Sequence, residues 1–174
     1  MRHKFYDKFN LHNQIPTRFV VINKESHKRR ILNMDELVNN LTLHTKLPDG
    51  EKWVVEKYDF TNLTNNVMIY STIKCLVSPC GSHLYNAVVM HEFTGMLILC
   101  GNLIDNCNAQ MTAALGIMNI QVGHRVIPHD GEVKNPYDAE RCAKCAQRLI
   151  EALENKKFND MKDLEQIDNM KYFN

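Results

Sequence analysis

The feature that most constrains this chain is the alternation of short β-branched runs with helix-patterned segments along most of its length. "RFVVIN" (18–23) reads as a strand. It is followed by "NMDELVNNLTLH", a helix pattern with Asn33 at the N-cap position and acids in the first turn. "LPDGEK" is a turn, "KWVVEKYDF" a second strand, and "TNLTNNVMIYST" a helix capped by Thr61 or Asn62. "IKCLVS" and "GMLILC" are the third and fourth strands, with a helix beginning near Gly81 between them. "NAQMTAALGIMN" is a helix ending at Gly116, since glycine is the usual residue just past a helix end, and "IMNIQV" is a fifth strand. "NPYDAERCAKCAQRLIEALENKK" is the longest helix, read with Asn135 as cap and Pro136 in the first turn. Strands that alternate with helices form βαβ units, hence a parallel α/β sheet covered on both faces. The expected α/β domain spans 18–158, after an N-terminal extension (1–17) and before a C-terminal tail or docked helix (159–174).

Charge and cysteine usage narrow the function classes. Lys+Arg total 21 against Asp+Glu 20, a net charge of +1 over 174 residues. That balance leaves no surplus of cations to neutralise a nucleic-acid backbone. No apolar stretch approaches the ~20 residues of a membrane span, and "MRHKFYDKFN" lacks the apolar region of a signal peptide. The expected setting is therefore cytoplasmic, or viral and virion-associated, with no membrane span and no nucleic-acid partner. Cys142-x-x-Cys145 sits in a helical pattern with no second pair at zinc spacing, so the six cysteines read as free, mostly buried thiols.

Two segments carry anion chemistry. In "LVSPCGSHLYNAVVM" (76–90) a strand runs through a small-residue turn into a helix. Unpaired N–H groups at a helix start suit a phosphate, Gly81 permits close approach, and Ser82, His83 and Asn86 lie on the first turn. On the residues alone, a plain turn and cap is the favoured reading, because one glycine at a strand–helix junction is common. "SHKRRILN" places Arg29 and Arg30 after the first strand, and guanidinium forks match phosphate oxygens, although a solvated basic loop has the same composition. "GHRVIPHD", with His124, Arg125, His129 and Asp130, reads as a polar surface loop. GxSxG, HExxH, GxxxxGK[ST] and GxGxxG are all absent, which removes support for serine-hydrolase, zincin, P-loop and dinucleotide readings.

Together, "RFVVINKESHKRRILNMDELVNNL", "WVVEKYDFTNLTNNVMIYSTIKCLVSPCGSHLYNAVVM" and "GMLILC" resemble glycosyltransferase family 61 from about Arg18 to Gly116. The resemblance implies a Rossmann-like, nucleotide-sugar-binding domain like the C-terminal half of a GT-B glycosyltransferase. Such enzymes transfer a sugar from a UDP-sugar with inversion to a protein or glycan acceptor, with no metal and no other cofactor expected. By position, Arg29 and Arg30 match the family's arginine pair, and Gly81, Ser82, Leu84 and Asn86 its HGA-x-L-x-N segment. The expected donor-diphosphate residues are thus Arg29, Arg30, Cys80, Gly81, Ser82, His83 and Asn86. Cys80 stands where the family keeps a histidine, Lys24 where it usually has an arginine, and Leu99 or Cys100 where it often has a glutamate. His83 is the one catalytic candidate, and no residue is assigned as base. The short segment before the first strand leaves no room for an acceptor domain, so the expected alternatives are a split enzyme or a degenerate UDP-sugar-binding module. Either would have a homodimer or partner chain supplying that domain.

Overall fold

The structure, a computed structural model, describes residues 2–57 and 61–158. Five parallel strands form one sheet: β1 (Arg18–Ile22), β2 (Trp53–Glu56), β3 (Ile73–Pro79), β4 (Gly95–Leu99) and β5 (Met118–Val122), in the order β2-β1-β3-β4-β5. The helices are α1 (Arg2–Phe9), α2 (Met34–His44), α3 (Leu63–Ser71), α4 (Asn106–Ala114) and α5 (Ala139–Asn155), with a 3-10 helix at Ser82–Val89. This is the expected α/β sheet with helices around it.

Period-two alternation sorts the strand side chains onto two cores. Phe19, Val21, Cys75, Val77, Leu97 and Leu99 face the layer of α2 and α5. Val20, Ile22, Leu76, Met96 and Ile98 face the opposite layer, where the 3-10 helix packs among α1, α3 and α4. Every residue of β4 is buried, the signature of a central strand covered on both faces.

Several boundaries differ from the sequence reading. The N-terminal extension contains α1, which is held by tertiary contacts: the Arg2 guanidinium donates to the carbonyls of Val88 (3.3 Å) and Leu115 (2.6 Å). α5 starts three residues later than the Pro136 reading, because Asp138 is its cap and accepts from Arg141 N at 3.0 Å. Asn33 precedes α2 but does not cap it by side chain; its amide ties the helix start to Tyr137 instead, through the Tyr137 carbonyl (2.9 Å) and N–H (3.1 Å). Asn62 does cap α3, accepting from Asn65 N at 2.9 Å. Gly116, at φ +64°, ends the α4 segment as expected. Asp138→Ala should cost about 1 kcal/mol of stability, read by urea unfolding, since an orphaned first-turn N–H loses its acceptor. Residues 58–60, the end of the expected second strand, and the expected tail 159–174 lie outside the described residues.

Strand order positions the site. From β1 the chain moves to β2 on one side, whereas from β3 it moves to β4 on the other. Where two adjacent strands send their connections in opposite directions, a crevice opens at their carboxyl ends, and ligands of open α/β sheets bind there. In this fold that place is bounded by the loops after Ile22 and after Pro79.

Candidate functional site

The loop leaving β1 is closed by one side chain. Asn23 Oδ1 accepts from the N–H of Lys24 and of Ile31, both at 2.8 Å, and its amide donates to the Ile31 carbonyl at 2.8 Å. The basic run is thereby folded into a tight loop over the crevice. Within it Arg29 adopts a left-handed backbone (φ +56°), a conformation that costs a non-glycine residue about 1 kcal/mol or more. The Tyr137 hydroxyl, at the start of the α5 segment, donates to the Arg29 carbonyl at 3.2 Å, with the Leu99 carbonyl also in reach at 3.4 Å.

That conformation turns the Arg29 side chain inward. Its Nε donates to the Cys80 carbonyl at 3.1 Å, and its Nη1 donates to the carbonyl of His129. Lys24 Nζ reaches the same Cys80 carbonyl at 3.3 Å. Two cations thus converge on one neutral oxygen at the mouth between β1 and β3. Among the described residues neither forms an ion pair. Burial holds the Lys24 ammonium below its ordinary pKa, and the neighbouring Arg29 charge lowers it further; Cys80, and more weakly Asp105, oppose this. A bound anion would lessen the repulsion between the two cations.

Gly81 follows directly, at φ +154° and ψ 176°, a region that is essentially glycine's alone. A Cβ there would lie 2.7 Å from Lys24 Nζ and 3.4 Å from His83 Nδ1. The strand-to-helix turn therefore brings bare backbone against the ammonium group. The segment that follows is a 3-10 helix rather than the expected α-helix, and the Asn86 amide closes its first turn on the His83 carbonyl at 2.8 Å.

His83 is buried, 5% exposed. The single hydroxyl proton of Ser78 goes to the Ile22 carbonyl (2.8 Å), so Ser78 Oγ accepts from His83 Nε2 (2.8 Å). Burial, followed by Lys24 and Arg29, pushes the ring's pKa down to about 4, so it is neutral at pH 7. Ser82 is exposed beside Gly81, and Leu84 is wholly buried in the core.

Cys80 contributes its carbonyl, while its thiol is buried in the second core. The adjacent Cys100 thiol lowers the Cys80 pKa, burial opposes, and Arg29 assists. Arg30, by contrast, is exposed and makes no hydrogen bond among the described residues. The two expected arginines therefore separate, one facing the crevice and one facing solvent. All six cysteines are free thiols, five of them buried.

The structure brings in residues that sequence reasoning left out of the site. Lys24 stands in the sequence only as a departure from the family pattern, yet it is the second cation. The "GHRVIPHD" loop is no detached surface loop: it packs onto the crevice rim through His129, through Lys28–Asp130 (3.3 Å), and through Val133 N to the His27 carbonyl (3.1 Å). Its His124 is buried against the Tyr137 ring at 4.6 Å, and burial lowers its pKa to about 4. A cavity of about 270 Å³ lies at the opposite end of the sheet, lined by Pro16, Thr17, Phe19, Lys74, Ile150 and Leu153 among others. None of the expected site residues lines it.

These features define an α/β domain with two cations converging at its topological switch point. The glycosyltransferase 61 family model matches residues 1–97, more than half of the 174-residue sequence, and the chain belongs to that family. The matched span contains both segments that build the crevice from β1 and β3, and it ends within β4. No curated protein matches the chain. Among solved structures, the chain is similar to diflavin flavoprotein A3 from Nostoc sp., at 12% identity and a TM-score of 0.52, covering 80% of this chain and 95% of that one. It is also similar to a flavodoxin-like domain from Synechococcus sp., at 9% identity and a TM-score of 0.49, covering 79% of this chain and 99% of that one. The Nostoc likeness, at such low identity, is one of fold: a Rossmann- or flavodoxin-like parallel sheet. No helix among the described residues is long and apolar enough to cross a membrane.

Proposed function

We propose that the crevice between β1 and β3 holds the diphosphate of a UDP-sugar, and that this family member transfers the sugar to a protein or glycan acceptor with inversion. The observation that carries the reading is the pair Lys24 and Arg29, two cations fixed on one neutral carbonyl beside Gly81. Sugar transfer builds negative charge on the departing UDP. Fixed cations, with the bare backbone of Gly81 beside them, would stabilise that charge without reorganising, as an oxyanion hole does. Inversion follows if the acceptor attacks the sugar from the face opposite UDP in one displacement. The side-chain cations supply the charge compensation, so the reading requires no added metal or other cofactor.

A second reading, a UDP-sugar-binding module without turnover, is favoured by one observation. His83, the catalytic candidate, is buried, and burial followed by Lys24 and Arg29 pushes its pKa down to about 4, which makes it a weak proton acceptor.

Thermal unfolding with UDP tests the binding claim, because a native-state ligand at 100 times its Kd stabilises by about 2.7 kcal/mol. Arg29→Ala should weaken UDP binding about 10- to 100-fold, the worth of a charge-assisted hydrogen bond. Arg30→Ala should cost less, and Lys144→Ala, an exposed partner of Glu140 on α5, should cost nothing. UDP release from UDP-sugars, assayed with candidate acceptors, then separates the two readings: binding with release supports the transferase, and binding without it the module. A melting temperature unmoved by millimolar UDP in folded protein contradicts both.

A further inference from the structure

We propose that His129, from the loop between β5 and α5, is a further ligand-contacting residue of the crevice, its imidazole donating to the diphosphate held by Lys24 and Arg29. The inference rests on the reading of the crevice as a nucleoside-diphosphate site and adds to it a residue outside the family-matched span.

Three observations support the inference. First, a single guanidinium joins the two loops: Arg29 Nε is on the Cys80 carbonyl at 3.1 Å and Nη1 on the His129 carbonyl. Two hydrogen bonds and the width of one guanidinium separate these oxygens, so the His129 carbonyl stands roughly 6 Å from that of Cys80.

Second, the backbone of His129 is held on both sides. Its carbonyl takes Arg29, and its N–H donates to Asn102 Oδ1 at 2.9 Å, in the loop that leaves β4. Gly101 closes this contact. A Cβ at that position would lie 2.6 Å from the Ile127 carbonyl and 3.2 Å from His129 N, so the two loops touch as bare backbone. The neighbouring Asp130 is paired with Lys28 at 3.3 Å, a second tie to the basic loop. The ring therefore projects from a fixed point, which is what a positioned ligand group needs.

Third, the ring itself has no structural employment. Its Nδ1 is buried with no hydrogen-bond partner among the described residues. Burying an unpaired N–H costs about 1–3 kcal/mol, which favours the tautomer with the proton on Nε2 and leaves Nε2–H as the ring's donor. The two buried histidines are used differently: His83 bonds Ser78, and His124 packs on Tyr137 beside Cys142. His91 also has an unpartnered nitrogen, but it precedes β4, at the other end of the sheet, with its ring 4.9 Å from that of Tyr6.

Calorimetric titration of the wild-type chain, His129→Ala and His129→Gln with UDP and with inorganic pyrophosphate tests the inference. The expected result is a loss of about 10-fold in affinity for both probes in His129→Ala, with partial recovery in His129→Gln, whose amide can still donate. The melting temperature without ligand should be unchanged, which separates a ligand contact from a structural role. Should His129→Ala fail to fold, the ring nitrogens of His129 in ¹⁵N-histidine-labelled wild-type protein should shift when pyrophosphate is added. Wild-type affinity in folded His129→Ala, or ring signals that pyrophosphate does not move, overturns the inference and leaves the proposed function standing. A wild-type chain that binds neither UDP nor pyrophosphate overturns both.

Discussion

Gly81→Val should lower UDP affinity about 100-fold, because it strikes backbone and cation together. Any side chain at φ +154° and ψ 176° is strained, at a cost of about 1–3 kcal/mol. The new Cβ would also sit 2.7 Å from Lys24 Nζ, and the flexible lysine end would yield, leaving the Cys80 carbonyl. Losing one charge-assisted contact accounts for about 10- to 100-fold in affinity, and filling the gap that lets phosphate approach the backbone adds to it. Gly81→Ala should show the same strain with a smaller binding loss. Calorimetric titration with UDP, alongside urea unfolding, checks both parts. Wild-type affinity in a folded Gly81→Val would mean that this turn is only a turn.

Acid should destabilise the chain strongly between pH 6.5 and pH 4. His83 is held neutral by burial, then by Lys24 and Arg29; His124 is held neutral by burial, then by Arg141, with Asp138 opposing. Both pKa values fall from 6.5 to about 4 on folding. The unfolded chain therefore binds more protons throughout that window. Their contribution is complete above pH 6.5 and is lost as pH falls toward the folded value. By pH 5 each histidine should have withdrawn about 2 kcal/mol, or about 4 kcal/mol together. Urea unfolding at pH 8, 6.5 and 5 measures this, and His124→Gln should remove about half of the dependence. A stability that stays flat over that range would contradict the burial described for both rings.

The elements were legible because each carries its own periodicity, while their neighbours in space were not. "RFVVI" and "IKCLVSP" announce strands, yet nothing local says that they lie side by side, which is what makes the crevice. The adjacent arginines are indistinguishable as letters. A left-handed backbone at Arg29, held by Tyr137 more than one hundred residues later, turns one inward and leaves the other in solvent. α1 was missed for a similar reason. Its short, charged "RHKFYDKF" shows little beyond Phe5, Tyr6 and Phe9, and its anchors at Val88 and Leu115 are remote. At α5 a signal was present and misweighed: Pro136 suggested a first turn, but Asp138, directly before "AERC", is the residue that can cap. The 3-10 form of Ser82–Val89 shows in its exposure, with Ser82 and Tyr85 exposed and Val88 half-buried at three-residue spacing. That spacing becomes visible only once the helix is packed.

The central claim is that the carboxyl edge between β1 and β3 receives a nucleoside diphosphate. Backbone amide spectra of the ¹⁵N-labelled chain, titrated with UDP, test it most directly because they report where a ligand sits. The account predicts shifts concentrated at residues 23–31, 80–83 and 128–130, saturating with UDP and weakened by Arg29→Ala. Shifts confined to the cavity around Phe19, Lys74 and Leu153 at the other end of the sheet, or no shifts at millimolar UDP, would contradict it.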